Sequence, residues 1–264
     1  MAIKILECLN IGLHYPGNNY FTLKDINFAV EADQIVALLG ESGCGKTSLL
    51  NVASGLIPAT SGQVLFKGQP ITTTPNGVSV VFQDACLLPW LNVAKNVAFG
   101  LGFKSLYVPK TERNCRVEAA LKEVGLLDAA DKYPAALSGG MAQRVSLART
   151  LVRRSELSFL DEPFSSLDAI TRRSMQQLLL NLLRAHRSSA LLVTHDLDEA
   201  LALADRLILI GREAGGTKLA DWDLNSSLGT TGSPAAPNLR LTADHFFQAL
   251  RAEISGRLSA DLTD

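Results

Sequence analysis

The stretch Gly40-Glu41-Ser42-Gly43-Cys44-Gly45-Lys46-Thr47 has the residue types and spacing of a loop that cradles phosphate. Glycines let backbone N–H groups turn inward toward phosphate oxygens, and a helix N-terminus behind the loop adds partial positive charge. Lys46 has the reach to neutralise β- and γ-phosphates. The Thr47 hydroxyl suits Mg²⁺, and Ser48 extends the binding stretch. Context separates such a loop from a glycine-rich turn with a chance lysine. Here the apolar run Ile35-Val36-Ala37-Leu38-Leu39 precedes it and the helix-compatible Thr47–Ala53 follows, the strand–loop–helix order the chemistry needs.

Two further places carry chemistry. Leu157-Ser158-Phe159-Leu160 is an apolar strand that ends in Asp161 and Glu162. Asp161 would hold Mg²⁺ directly or through water, and Glu162 would act as general base on an attacking water. Alone, an acidic strand end is weak evidence, since turns often carry Asp; after a phosphate loop it gains meaning. Leu137-Ser138-Gly139-Gly140-Met141 precedes a helical stretch, Ala142–Arg153. Ser138, Gly139 and Gly140 would expose backbone N–H groups at a helix N-terminus, a second anion site without a lysine of its own. The plainer reading is a glycine-rich N-cap. If the half-site completes the site of another copy, the chain forms a head-to-tail dimer with two nucleotides at the interface.

The elements that must position these residues alternate. Ile3–Leu9, Phe21–Val30 and Ile35–Leu39 read as an antiparallel β element leading into the loop strand. Val64–Phe66 and Val78–Phe82 read as strands, as do Leu157–Leu160, Ala190–Thr194 and Leu207–Ile210. Helical patterns cover Met141–Arg153, Thr171–Arg184 and Leu197–Ala204. Between residues 92 and 130, Val117, Leu121, Val124 and Leu127 recur at helical spacing. The expected fold is α/β, with a mainly parallel sheet and ligands at the carboxyl ends of its strands. Residues 3–225 form the main domain, with a helical subdomain at about 92–155. A Ser-, Gly-, Thr- and Pro-rich stretch, 226–237, reads as a linker. In the extension 238–264, Phe246, Phe247, Leu250, Ile254 and Leu258 share a helical face behind the N-cap candidate Thr242.

Bulk properties narrow the field. The 264 residues carry 25 Lys and Arg against 26 Asp and Glu, so no basic excess points to nucleic acid. Cys8, Cys44, Cys86 and Cys115 are scattered without a paired motif, which suggests reduced thiols; Cys44, inside the loop, is a candidate for alkylation. No apolar run reaches the ~18 residues of a membrane span, and the N-terminus does not read as a signal peptide. Work at a membrane would go through a partner.

Taken together in order, the motifs resemble those of the ATP-binding subunits of ABC transporters. That family carries a phosphate loop, a strand-end Gln, an L-S-G-G signature, an acidic strand end, an S-x-L-D loop and a strand-end His. This sequence has Gly40–Thr47, Gln83, Leu137–Gly140, Asp161-Glu162, Ser166-Leu167-Asp168 and His195, over about residues 3–212. The resemblance implies an ATPase of the P-loop ABC fold, with an antiparallel β subdomain and a helical signature subdomain, using ATP and Mg²⁺. It implies that Gln83 touches Mg²⁺ and the attacking water and links nucleotide state to the membrane partner. His195 would contact the γ-phosphate, and Asp168 would communicate across the dimer. An aromatic ring upstream of the loop stacks on adenine; Tyr15 is the candidate, with Tyr20 and Phe21 as competitors. Two departures stand out: Met141 occupies a place where the family usually has Gln, and Ala32-Asp33-Gln34 lacks a common Gly.

Val81-Phe82-Gln83-Asp84-Ala85-Cys86-Leu87-Leu88-Pro89-Trp90, followed by Asn92-Val93 and Asn96-Val97, and Asp161–Arg172 are similar to the nitrate, sulfonate and taurine importer branch, and the whole chain looks most like taurine-importer ATPases. Alkanesulfonate, nitrate and pyrimidine-precursor importers share these motifs. The partners so implied are a second copy, two permease subunits and, indirectly, a periplasmic solute-binding protein. The place implied is peripheral, on the cytoplasmic face of the inner membrane. Rival readings are a P-loop kinase and a non-transport ABC ATPase. The apolar Leu87-Leu88-Pro89-Trp90 reads either as one wall of a groove for a membrane subunit or as a local plug.

Overall fold

The computed structural model describes residues 3–17, 20–101, 108–211, 216–224, 248 and 251–257. The expected linker lies outside these residues, as do Thr242, Phe246, Phe247, Leu250 and Leu258. In chain order the strands and helices are β1 (Lys4–Leu13), β2 (Leu23–Glu31), β3 (Ile35–Leu39), α1 (Lys46–Ala53), β4 (Ser61–Phe66), β5 (Gln69–Pro70) and β6 (Val78–Val81). Then come α2 (Val93–Ala98), α3 (Lys110–Glu123), α4 (Gly139–Leu151), β7 (Leu157–Asp161), α5 (Ala169–Ala185), β8 (Ser189–Thr194), α6 (Leu197–Leu203), β9 (Arg206–Gly211) and β10 (Thr217–Asp223). The chain divides into two compact units, Met1–Thr74 with Leu191–Asp264, and Pro75–Ala190.

The first unit holds an antiparallel sheet in the order β2-β1-β4-β5 and the strands β10-β9-β3-β8, of which β3 and β9 run parallel. All five residues of β3 are buried, whereas β2 alternates between buried and exposed positions. Strands covered on both faces read as continuous apolar runs, and those covered on one face alternate. Behind β3, the apolar cluster of Ala37, Leu39, Ala200, Leu207 and Leu209 also takes in Ile254 from the helical residues 251–257. The Asp205 carboxylate accepts from Ile35 N at 2.8 Å and fixes the start of the loop strand. β10 was not anticipated: its sequence, TKLADWD, carries charge at three of seven places and pairs antiparallel along β9.

The second unit pairs β6 and β7 in parallel and packs helices over an apolar cluster that includes Val93, Val97, Leu121, Val145 and Val152. The helical period expected from Val117 to Leu127 breaks early. α3 ends at Glu123, and Leu127 sits in a following 3-10 turn, 42% exposed. Helix α4 starts earlier than expected, at Gly139 and not Ala142, because the Ser138 hydroxyl accepts from Met141 N and caps it.

Candidate nucleotide site

The phosphate loop grows out of the buried end of β3. Gly45 has φ +98° and Gly43 φ +83°, a left-handed region that side-chain-bearing residues rarely enter. A Cβ at Gly40 would lie 2.4 Å from Ile210 O and 2.7 Å from Cys44 Sγ, so the chain can turn there only as glycine. Lys46 is buried, and its ammonium donates to Gly40 O at 2.7 Å and Glu41 O at 2.6 Å. The charge is thereby fastened along the loop's own carbonyls, at the first residue of α1. That helix has no side-chain cap and no acidic residue in its first turn. Its N-terminal partial charge and the ammonium therefore face the same region with no carboxylate of the helix's first turn to offset them, which fits a polyphosphate. Ser42, Gly43 and Thr47 are exposed around the loop.

Two more expected residues belong to this unit. The Tyr15 hydroxyl lies 3.2 Å from Ser48 Oγ, so the ring is tied to α1 one residue beyond Thr47, and it is 38% exposed. Of its competitors, Phe21 packs edge-on against His14 with ring centroids 5.6 Å apart, and Tyr20 is exposed. His195 is exposed one residue past β8, the sheet neighbour of β3. Its turn is built by neighbours: Asp196 N donates to Thr194 Oγ1 at 3.0 Å, and Thr194 Oγ1 donates to the Glu199 carboxylate at 3.1 Å. Asp196 then caps α6 through Asp198 N and Glu199 N.

Cys44, expected to react with alkylating reagents, is 2% exposed; its thiol packs under the loop, and Cys86 and Cys115 are the exposed thiols. Burial also pushes the Cys8 thiol far above its ordinary value.

The remaining residues lie in the second unit. β6 and β7 pair in parallel with Val81 opposite Leu160 and Ser79 opposite Ser158, and the two buried serine hydroxyls meet at 3.1 Å. Gln83 and Glu162 each follow two residues after the Val81–Leu160 pair. The parallel register thus delivers Gln83, Asp161 and Glu162 to one end of the strand pair. Asp161 is buried, the last residue of β7. Glu162 has φ +42°, and its carbonyl accepts from Ser165 N and Ser165 Oγ, which turns the chain sharply away from the strand.

Ser138 is the N-cap of α4, and Gly139 and Gly140 form its first two residues. A Cβ at Gly139 would meet nothing within 4 Å, so the helix end is open to an approaching group, while one at Gly140 would crowd Thr171 at 3.0 Å. Met141 packs on the helical cluster. Asp168 has a local task as well: it caps α5 by accepting from Ile170 N at 3.1 Å and Thr171 N at 3.0 Å. Hydrogen bonds from the Thr171 side chain and then from its backbone N–H hold the Asp168 carboxyl below the ordinary range.

Two residues outside the sequence motifs hold the loop after Gln83. Asn96 of α2, fully buried, accepts from Leu88 N at 2.8 Å and donates to Leu88 O, Leu91 O and Asn92 O. Arg149 of α4 donates to Cys86 O at 2.9 Å and to Ala85 O. The one available signal was Asn96 itself, a polar residue between the apolar helical positions Val93 and Val97.

A family model described as ABC transporter matches residues 23–165, which carry the loop, the signature glycines and the acidic strand end. The chain belongs to the ABC transporter family. It is 45% identical over 206 residues to an aliphatic sulfonates import ATP-binding protein of Xanthomonas axonopodis pv. citri, covering 77% of this chain and 81% of that one. It is 41% identical over 204 residues to a nitrate import ATP-binding protein of Synechococcus elongatus, covering 77% and 74%. A bicarbonate transport ATP-binding protein of the same organism is 44% identical over 209 residues, 78% of this chain, but the match spans only 32% of that longer protein. These relatives of the ABC chain are named for sulfonate and nitrate import and for bicarbonate transport.

Solved ABC structures agree on the fold. The cbiO1 protein from Clostridium perfringens, part of a transporter complex, is 27% identical with a TM-score of 0.75, covering 83% of this chain and 88% of that one. A dimeric ATP-binding cassette holding ADP and Pi after hydrolysis is also 27% identical, with a TM-score of 0.72 and coverage of 83% and 98%. Among the described residues no helix of the ABC chain is long and apolar enough to cross a membrane.

Proposed function

We propose that this chain is the ATP-hydrolysing subunit of an ABC importer for a small organic anion, with taurine as the solute. The observation that carries the ATPase reading is the phosphate cradle: a buried Lys46 ammonium on the loop carbonyls at an α1 N-terminus without acidic residues. Bound ATP supplies the phosphoryl group, and Mg²⁺ supplies charge to offset the phosphate oxygens. Gly40 to Ser48 bind the phosphates and Tyr15 stacks on adenine. Thr47, Gln83 and Asp161 are the groups that would hold Mg²⁺. Glu162 takes the proton of the attacking water, His195 steadies the γ-phosphate, and Lys46 stabilises the developing charge.

A second copy contributes Ser138, Gly139 and Gly140 to the nucleotide, and Asp168 reports across that interface. Support for the pairing is the open α4 N-terminus and the dimeric state of the related cassette. Two permease subunits receive the work, with a periplasmic solute-binding protein delivering the anion, so the chain operates peripherally at the cytoplasmic face of the inner membrane. Trp90, 70% exposed, is the surface offered to a permease, although Leu87 packs on the helical cluster as a partial plug.

The relatives named for sulfonate and nitrate import favour a second reading of the same machine, with an alkanesulfonate or nitrate as solute. The test is ATP turnover by the subunit assembled with its permease pair and binding protein, with taurine, alkanesulfonates or nitrate added one at a time. Stimulation by taurine alone is expected; stimulation by another anion alone replaces the solute and keeps the ATPase.

A further inference from the structure

The segment between Gln83 and α2 has no regular secondary structure, yet nearly every turn of it is fastened by a side chain. Asn96 meets Leu88 from both sides: its carboxamide oxygen accepts from Leu88 N at 2.8 Å and its NH₂ donates to Leu88 O at 3.1 Å. The same NH₂ reaches Leu91 O at 2.9 Å and Asn92 O at 3.2 Å. A buried amide with its acceptor and both donor hydrogens engaged is a fixed post, because turning it would strand several backbone groups at once. Nearer Gln83, the half-buried Arg149 guanidinium spreads over two successive carbonyls, Ala85 O and Cys86 O. Cys86 has φ +46°, a conformation its side chain disfavours and which persists only where neighbours hold it.

These two posts stand on different elements. Asn96 belongs to α2. Arg149 sits on α4, eleven residues after the Ser138 N-cap, which along a helix is about 16 Å. α4 is one unbroken helix between its signature glycines and Arg149, so displacement at its N-terminus is transmitted along the rod to the carbonyls that follow Gln83.

We infer that Asn96 and Arg149 are positioning residues that hold the loop from Ala85 to Leu91, directly after Gln83, and tie it to the helix that opens with Ser138, Gly139 and Gly140. Neither touches nucleotide. They make Gln83 and the apolar Leu87–Trp90 move as one body with α4, so that a permease pressing on Trp90 shifts both the Gln83 end of the loop and the signature helix. The coupling part of this inference rests on the ATPase reading above; the fastening part does not.

The chain has two tryptophans, Trp90 and Trp222, so a Trp222→Phe background leaves Trp90 as the loop's own reporter. In the isolated full chain, Arg149→Lys keeps the charge and loses the fork, while Asn96→Asp keeps an oxygen and loses the donors. Both are expected to lower Trp90 fluorescence anisotropy. In the complete assembly, both are expected to lower the ratio of anion-stimulated to basal ATP turnover, on the order of tenfold for loss of alignment alone. Arg149→Lys, which retains one donor, should lose less than Arg149→Met. Unchanged Trp90 anisotropy in both variants overturns the fastening. A loosened Trp90 with a native stimulation ratio, or stimulated and basal rates falling in parallel, overturns the coupling role. If the unmutated assembly is not stimulated by any anion, the transport reading and the coupling role fail together, and the Trp90 comparison still decides the fastening.

Discussion

At the level of single residues, a few side chains carry the proposed chemistry, and their removal has separable effects. Glu162→Gln keeps the turn at φ +42° and removes the base, so ATP still binds while turnover falls roughly 10²–10⁴-fold and a nucleotide-bound dimer accumulates; turnover with light scattering checks both. Full activity in that variant removes Glu162 from the role. Tyr15 separates stacking from its bond to Ser48. Tyr15→Phe should bind ATP nearly as well as the native chain, and Tyr15→Ala should lose about 1 kcal/mol, a roughly fivefold rise in Kd. Thiol labelling reports the burial pattern: iodoacetamide should modify Cys86 and Cys115 in the folded chain, and Cys8 and Cys44 only after unfolding. The place of Gly40–Thr47 between a buried strand and a helix, and of Asp161 and Glu162 at a strand end, was legible from residue type and order. The burial of the Cys44 thiol was not, since it depends on how tightly the loop closes on itself.

At the level of elements, legibility followed burial. β3, β7 and β8 are buried along their whole lengths and announced themselves as apolar runs. β10 is an edge strand with no fully buried position and charge at three places, so nothing in its sequence separated it from a loop. The fastening of Ala85–Leu91 was nearly as silent: Asn96 stood out only as a polar residue between apolar helical positions, and the groups that it and Arg149 bond are backbone groups, which every residue has.

The β9–β10 edge carries a pH-dependent contribution. Burial pushes the Asp221 carboxyl up, but hydrogen bonds and charge from Arg206, at 2.7 Å, and from Lys218 outweigh it, and the net direction is down. A carboxyl lowered by folding stabilises above its ordinary value of about 4 and stops doing so as pH falls through its lowered one. Asp221→Asn should therefore flatten the fall in melting temperature on the acid side and leave its pH dependence between neutral and mildly acid pH unchanged. The loop strand itself depends on its core: Leu38→Ala, at a fully buried position of β3, should cost about 2–5 kcal/mol, read as a lower denaturation midpoint.

At the level of the whole molecule, the family was readable because six short motifs stand in one order along the chain, and the matching family model and relatives agree with that reading. The solute was not readable in the same way, since nothing in the nucleotide chemistry touches it. The central claim is that ATP turnover here is coupled to anion uptake through a permease pair. The measurement that tests it most directly is the ATP turnover of the reconstituted subunit, permease pair and binding protein, with and without the anion. Coupled transport requires low turnover without anion, a several-fold rise with taurine, and loss of that rise in Glu162→Gln. Turnover that no permease pair or anion alters would contradict coupled transport and return the chain to a non-transport ABC ATPase.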